Sequence, residues 1–512
     1  MALRDPEKAI GIDKEITSAL PFNFTGENLA DCKETNIVTW DGPTDPQNPK
    51  NWTTRRKWRM TLIVSCFALL SPLTGTMIAP STKYIASSLH TKDFFSIDLV
   101  SSIFLLGIGF GPLLLSPISE IYGRVPVLLL GNIFFILWNS VCGFSRNVGE
   151  LIAFRLLTGF GGSAPLAVGG GLVSDLWLPE QRGQALAIYT AGPLLGPAIG
   201  PIIGGYITED ASWRWIFWVV SIASAIIEIL ALCFLAETYP PSILSQKAKR
   251  LRKETGNSNL RTEYDDPDRT LWKLLKTNMI RPFKMSTQII IQFLSVYMAV
   301  LYGIMFLVLY TFPLLWQNYY HESTGTGSLN YIATGIGFTL GAQVYMTLRL
   351  TNDVQQVGGR LNNSIYKRLK GDKPTGVPEY RVALMLPGSI LLPIGLFIYG
   401  WTGQYHTHWI APNVGIAIFC AGAIMCIQGI QTYTIDAYSR YAASAISTLN
   451  ALRSLTGFTF PLFAPAMYER LGHGWGNSLL AFILLFLAII VPGFLWKYGS
   501  LLRKKSAYAS GE

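Results

Sequence analysis

Gly192-Pro193-Leu194-Leu195-Gly196-Pro197-Ala198-Ile199-Gly200-Pro201-Ile202-Ile203-Gly204-Gly205 carries no charge and repeats glycine at every fourth position. In a helix those glycines share one face and let a neighbouring backbone come close. Pro193, Pro197 and Pro201 each remove a rung of the helical hydrogen-bond ladder and make the helix bendable. A bilayer core of about 30 Å needs roughly twenty apolar residues per helix, and the run 184–206 around this stretch supplies them. Working outward, similar runs occur at 58–80, 98–117, 125–145, 150–172 and 215–236. After a polar stretch they resume at 288–315, 328–348, 382–401, 409–434, 443–467 and 477–499. The sequence predicts an all-α polytopic membrane protein with twelve transmembrane helices.

Composition agrees with that reading. Hydrophobic residues make up 50% of the chain and charged residues 14%, against about a quarter charged in soluble domains. The charge is concentrated in 1–57, 236–286 and 349–381. A net charge of +10 raises the question of nucleic acid, but the basic residues sit in segments between apolar runs and form no face of a folded domain, so no nucleic-acid partner is expected. Six cysteines show no spacing for zinc or a disulfide framework, and no metal site is expected. The first 57 residues hold no apolar core, so the first span is expected to serve as the insertion signal.

Orientation follows from lysine and arginine. Lys50, Arg55, Arg56 and Lys57, the run Lys247-Ala248-Lys249-Arg250-Leu251-Arg252-Lys253, the 349–381 loop and Arg503, Lys504 and Lys505 fall on one side, and only scattered basics such as Lys83 and Arg214 on the other. Both termini are therefore expected in the cytosol. The division is a disordered tail at 1–57, a six-helix half at 58–236, a linker loop at 237–286, a second half at 287–499 and a tail at 500–512. A weak repeat supports two pseudo-symmetric halves, since Asp175, Tyr206 and Trp213 recur 261 or 262 residues later as Asp436, Tyr468 and Trp475. Two such halves around a central site is a transporter pattern.

Several motifs carry a family resemblance. Ser116-Pro117-Ile118-Ser119-Glu120-Ile121-Tyr122-Gly123-Arg124 resembles the signature loop of the major facilitator superfamily, with Glu120 as the acid and Gly123 and Arg124 matching, although Ser116, Ile121 and Val125 depart from it. A tight two-helix turn needs Gly123, and a carboxylate and guanidinium pairing across a cytosolic gate would break as it opens. Arg155-Leu156-Leu157-Thr158-Gly159-Phe160-Gly161 looks like the family's second motif, which implies a role for Arg155 in proton coupling. The 192–205 stretch is similar to the antiporter motif, which accompanies export; a kinked packing helix without directional meaning has the same sequence. Trp213-Arg214-Trp215-Ile216-Phe217-Trp218, Glu237-Thr238-Tyr239-Pro240-Pro241 and Gly474-Trp475-Gly476-Asn477 resemble the fungal twelve-helix drug:H+ antiporters.

The resemblance implies a cavity lined by the first, fourth, seventh and tenth spans. There the chain offers Thr74, Met77, Thr158, Tyr302, Phe306, Tyr310, Gln428 and Gln431 for cargo. Tyr302, Phe306 and Tyr310 are four apart and share a helix face, and aromatic walls with a few amides suit an amphipathic organic molecule. Arg453, inside the eleventh span, needs a counter-charge or water; Asp436 reads as a partner for Arg440 or Arg124. Glu228 in the sixth span reads as satisfied by a neighbour rather than as a proton carrier, and the first span holds no carboxylate. The expectation is an efflux antiporter, acting as a monomer in the fungal plasma membrane, that moves a drug, toxin or secondary metabolite in exchange for protons and needs no cofactor. A proton-linked importer or polyamine carrier of the same fold is the alternative, though polyamines call for intramembrane carboxylates. No histidine cluster, catalytic triad or phosphate-binding loop supports an enzyme or an ATP-driven pump.

Overall fold

A computed structural model describes residues 36–91, 93–265, 271–350, 378–438, 441–506 and 508–509. Among them, ten helical runs are long and apolar enough to cross a membrane. One, Ser444–Lys504, is broken at Gly472, whose φ of 73° and ψ of 173° belong to no helix, so it is two spans. Tyr331–Leu350 is a further helix of 20 residues. The twelve expected spans are therefore present: Thr54–Thr76, Phe94–Tyr122, Arg124–Cys142, a fourth divided at Ser163 into Val148–Gly162 and Ala164–Leu176, Pro179–Asp210, Trp213–Phe234, Ile289–Asn318, Tyr331–Leu350, Tyr380–Gln404, Ile410–Ala437, and the two arms of Ala442–Lys505.

The packing repeats between the halves. The first span lies on the fifth as the seventh lies on the eleventh, the second on the fourth as the eighth on the tenth, and the third on the fourth and sixth as the ninth on the tenth and twelfth. Across the halves the second span meets the eleventh and the fifth meets the eighth. The seventh span is central, with 78% of its most apolar stretch buried against 39% in the sixth. The third, sixth and twelfth spans turn rows such as Leu130, Ile133 and Leu137, Ile222, Ile226 and Ile229, and Phe482, Phe486 and Ile489 outward. Residues three and four apart share a face, and apolar faces of this extent are at home against acyl chains rather than water.

The polar segments differ from expectation. From Asn36 onward the tail is ordered: Ile37–Val38 pairs in parallel with Arg261–Thr262, and Lys247 Nζ donates to Asp41 Oδ1 at 2.6 Å and to the Thr39 carbonyl at 3.1 Å. Burial pushes the Asp45 carboxyl up, but the backbone N–H groups of Asp41 and Gln47 and the Lys247 ammonium hold it below its ordinary range. The linker is not a loop throughout, since Pro240–Thr255 and Leu271–Ser286 are helices. Its basic run is helical because Leu244 and Ala248, four apart, bury one face and leave Lys249, Arg250 and Lys253 exposed. Residues 1–35 with Cys32, most of the 349–381 loop, and Arg440 lie outside the described residues.

Candidate functional site

The glycine row of the fifth span faces the backbone of the first. A Cβ on Gly192 would meet Leu69 N and Ser65 O; on Gly196, Leu73 N and Leu69 O; on Gly200, the Leu73 carbonyl; and on Gly204, the Met77 carbonyl. No side chain fits between the two helices. Gly205, one residue round the helix, turns to Ser328 and Thr324 of the other half. Met77 is fully buried with Leu73, Phe104, Phe135, Ile216 and Val220 in the core of the first half, so it packs that core instead of facing a central cavity. Thr158 is likewise buried, its hydroxyl donating to the Phe154 carbonyl at 2.8 Å.

The wall built by the first span holds Arg155. Its guanidinium is fully buried and donates from Nη1 to the Thr74 carbonyl at 3.2 Å, from Nη2 to Gly75 at 3.4 Å and from Nε to Val100 at 3.3 Å. The charge also stacks over Phe104, 4.7 Å from the ring centroid. Among the described residues no carboxylate pairs with it. Thr74 thus contributes its backbone, its hydroxyl being turned to Leu70 O at 2.7 Å.

From the other half, Tyr310 donates its hydroxyl to the same Gly75 carbonyl at 3.1 Å. Tyr302, Phe306 and Tyr310 form a ladder with centroids 4.8 and 5.8 Å apart. At its other end the Arg453 guanidinium lies over Tyr302 at 4.8 Å. Arg453 is half-buried, and its Nε is buried with no partner among the described residues. Gln428 and Gln431 are half-buried; the Gln428 backbone carbonyl accepts from the hydroxyls of Thr432 at 2.8 Å and Tyr345 at 3.3 Å, and neither side-chain amide is hydrogen-bonded among the described residues.

At the end of the bundle that carries the linker helices, charged groups lock each half within itself. Gly123 has φ +101°, a conformation costly for any residue with a Cβ, and a Cβ there would strike Glu237. The Glu237 carboxylate accepts from the backbone N–H groups of Arg124 (3.0 Å) and Val125 (3.2 Å), capping the third span at its positive end. Arg124 Nε pairs with Asp175 at 3.0 Å, so its ion pair lies inside one half and does not cross a gate. Glu120 lies in a groove beside Lys249, Arg252 and Arg261. The second half repeats the scheme: Arg381 Nε pairs with Asp436 at 2.8 Å, and Arg503 grips Glu379 with two bonds of 3.0 and 2.8 Å. Asp436 thus pairs with Arg381, which begins the span beside it, while Arg124, one of its two expected partners, is on Asp175; the other, Arg440, lies outside the described residues. Sequence reasoning missed Arg381, Glu379 and the clamping role of Glu237; the offset of 257 residues between Arg124 and Arg381, close to the Asp175–Asp436 offset, is the signal that finds the first.

The opposite end joins the halves. Lys83 Nζ donates to Asn318 Oδ1 at 2.7 Å, and Glu209 accepts from Ser323 Oγ at 3.0 Å and from Gly325 N. Burial raises the nearby Glu322 carboxyl, offset in part by Asn330. Glu228 lies apart from all of this, at the seam of the third and sixth spans, where Asn132 Nδ2 donates to Oε2 at 2.8 Å and Oε1 finds no partner among the described residues.

The two halves are thus each braced at the linker end and joined at the other by polar contacts. The family model described as Major Facilitator Superfamily matches residues 64–461. The chain belongs to this superfamily. The efflux pump vrtL of Penicillium aethiopicum is 46% identical over 481 residues, covering 94% of this chain and 92% of its own. The efflux pump radE of Floropilus chiversii is 42% identical, covering 95% and 90%. Among solved structures, the xylose transporter XylE from E. coli in a partially occluded inward-open conformation superposes with a TM-score of 0.61 over 87% of this chain and 98% of that one. Its 15% identity speaks to the fold alone. The chain is a membrane transporter of the efflux-pump type, not an enzyme.

Proposed function

We propose that this transporter carries a small amphipathic aromatic compound out of the cytosol in exchange for protons. The linker end faces the cytosol with both termini, the membrane is the fungal plasma membrane, one copy suffices, and the proton gradient replaces any cofactor. Tyr302, Phe306, Tyr310, Gln428 and Gln431 receive the cargo. Arg155 couples cargo to proton, and Glu120, Gly123, Arg124, Asp175 and Asp436 brace the inner ends while the halves rock.

The observation that carries this reading is the shared Gly75 carbonyl, which accepts from Arg155 of one half and Tyr310 of the other. Rocking the halves separates Tyr310 from Gly75, so cargo on the aromatic ladder and charge at Arg155 are felt at one atom. An importer of polyamines fits less well, because the first and seventh spans contain no carboxylate. The test is dye accumulation in fungal cells. Cells with the protein should hold less of an aromatic dye than deletion cells, and a protonophore should abolish the difference. Higher accumulation, or efflux that persists without the gradient, overturns the proposal.

A further inference from the structure

We infer that the cargo is an organic anion, an aromatic carboxylic acid or comparably acidic phenol, whose charge is received by Arg453. The inference rests on the export reading above and narrows its substrate class.

The charge distribution of the interior is one-sided. In the first and seventh spans there is no Asp or Glu at all, and the fourth, tenth and eleventh carry only Glu150, Asp175, Asp436 and Glu469, all at helix ends. Asp175 and Asp436 are held by Arg124 and Arg381. In the second span Asp98 and Glu120 also lie near opposite ends. Mid-depth, the groups facing the junction of the halves are two guanidinium ions with no carboxylate partner among the described residues. A cationic cargo would meet two like charges there; an anion would supply the missing counter-charge.

The two arginines divide the work. Arg155 is wholly enclosed, with bonds to three carbonyls, and offers nothing to a ligand. Arg453 is half-buried, has an unpartnered Nε, and is positioned by its stacking on Tyr302. A planar fork of donors lying on an aromatic ring is the arrangement that receives a carboxylate through paired hydrogen bonds. The ligand's own ring then continues onto Tyr302 and Phe306, whose centroids are 4.8 Å apart. Such an acid is ionised in a near-neutral cytosol and crosses lipid poorly, so its removal needs a carrier. A membrane potential negative inside favours its exit.

The test uses the purified full chain in lipid nanodiscs with two fluorescent probes of equal shape, 6-hydroxy-2-naphthoic acid and 6-hydroxy-2-naphthamide. The acid should bind at least about tenfold tighter than the amide. Arg453→Gln should erase that preference without lowering the thermal midpoint of unfolding, and Arg453→Lys, which keeps the charge but loses the paired fork, should keep only part of it. Equal affinities in the intact protein, a preference that survives Arg453→Gln, or binding of neither probe overturns the inference. The outcome separates from that of export: a protein that binds both probes alike yet clears a neutral dye from cells keeps the export reading and loses the anion site. One that binds the acid selectively but clears nothing keeps the anion site and loses export.

Discussion

Arg155 and Arg453 are both guanidinium groups deep in an apolar span, one in each half, and they are held in opposite ways. Arg155 is enclosed, its three nitrogens each on a backbone carbonyl of the first or second span. Arg453 has a ring beneath it and an unpartnered Nε. Backbone carbonyls fix a fork in one orientation, because they move only when their helices move. A ring face holds a cation by a non-directional attraction and leaves its donors for something else. Equal chemistry at similar depth therefore gives a strut in one half and a receptor in the other.

The strongest way to break this comparison is to move the wall that supplies the carbonyls. Gly196→Leu forces a side chain against Leu69 and Leu73 of the first span, and Leu73 immediately precedes Thr74 and Gly75. Overpacking of this kind costs about 1–3 kcal/mol and should hold one conformation. Transport should fall to the level of cells lacking the protein while the amount in the membrane stays similar; normal transport would mean that the close seam is not needed for motion.

A paired substitution sharpens it further. Arg155→Lys keeps the charge but replaces a fork by a single ammonium that cannot serve three carbonyls at once. Efflux should drop by a factor of about ten or more, with protein still reaching the membrane. Arg453→Lys, which keeps a cation over the ring and breaks no bond to the backbone, should lose less. Equal losses at the two sites would refute the division between strut and receptor.

The smallest expected effect is at the contact between the two systems. Tyr310→Phe keeps the ladder and removes the hydroxyl from Gly75 O. A neutral hydrogen bond is worth about 0.5–1.5 kcal/mol, so initial efflux rates should change by roughly two- to tenfold. No change would show that the shared carbonyl does not transmit between the halves.

Some of this was legible in the chain. Twelve spans, the close-packed face of the fifth helix and the aromatic face of the seventh follow from spacing within single helices. Partners were harder. A buried arginine invites a search for an acid, yet Arg155 is met by the carbonyls of Thr74, Gly75 and Val100, and main-chain acceptors have no letter in the sequence. Met77 stood on a cavity-lining span but turned into the core of its own half. Asp436 found Arg381, 55 residues away, because the ends of two neighbouring spans adjoin. The order in the tail after Asn36 depends on Lys247, about two hundred residues on.

The sequence by itself determined the solvent of this protein, its helices and the faces they would pack, because hydropathy and helical period are properties of neighbouring residues. The tertiary structure alone decided which buried charge is consumed by the framework and which remains open to a ligand. The reason is that a charge in an apolar interior takes whatever acceptor the packing brings within about 3 Å, and that acceptor can come from any helix and from backbone as readily as from a side chain.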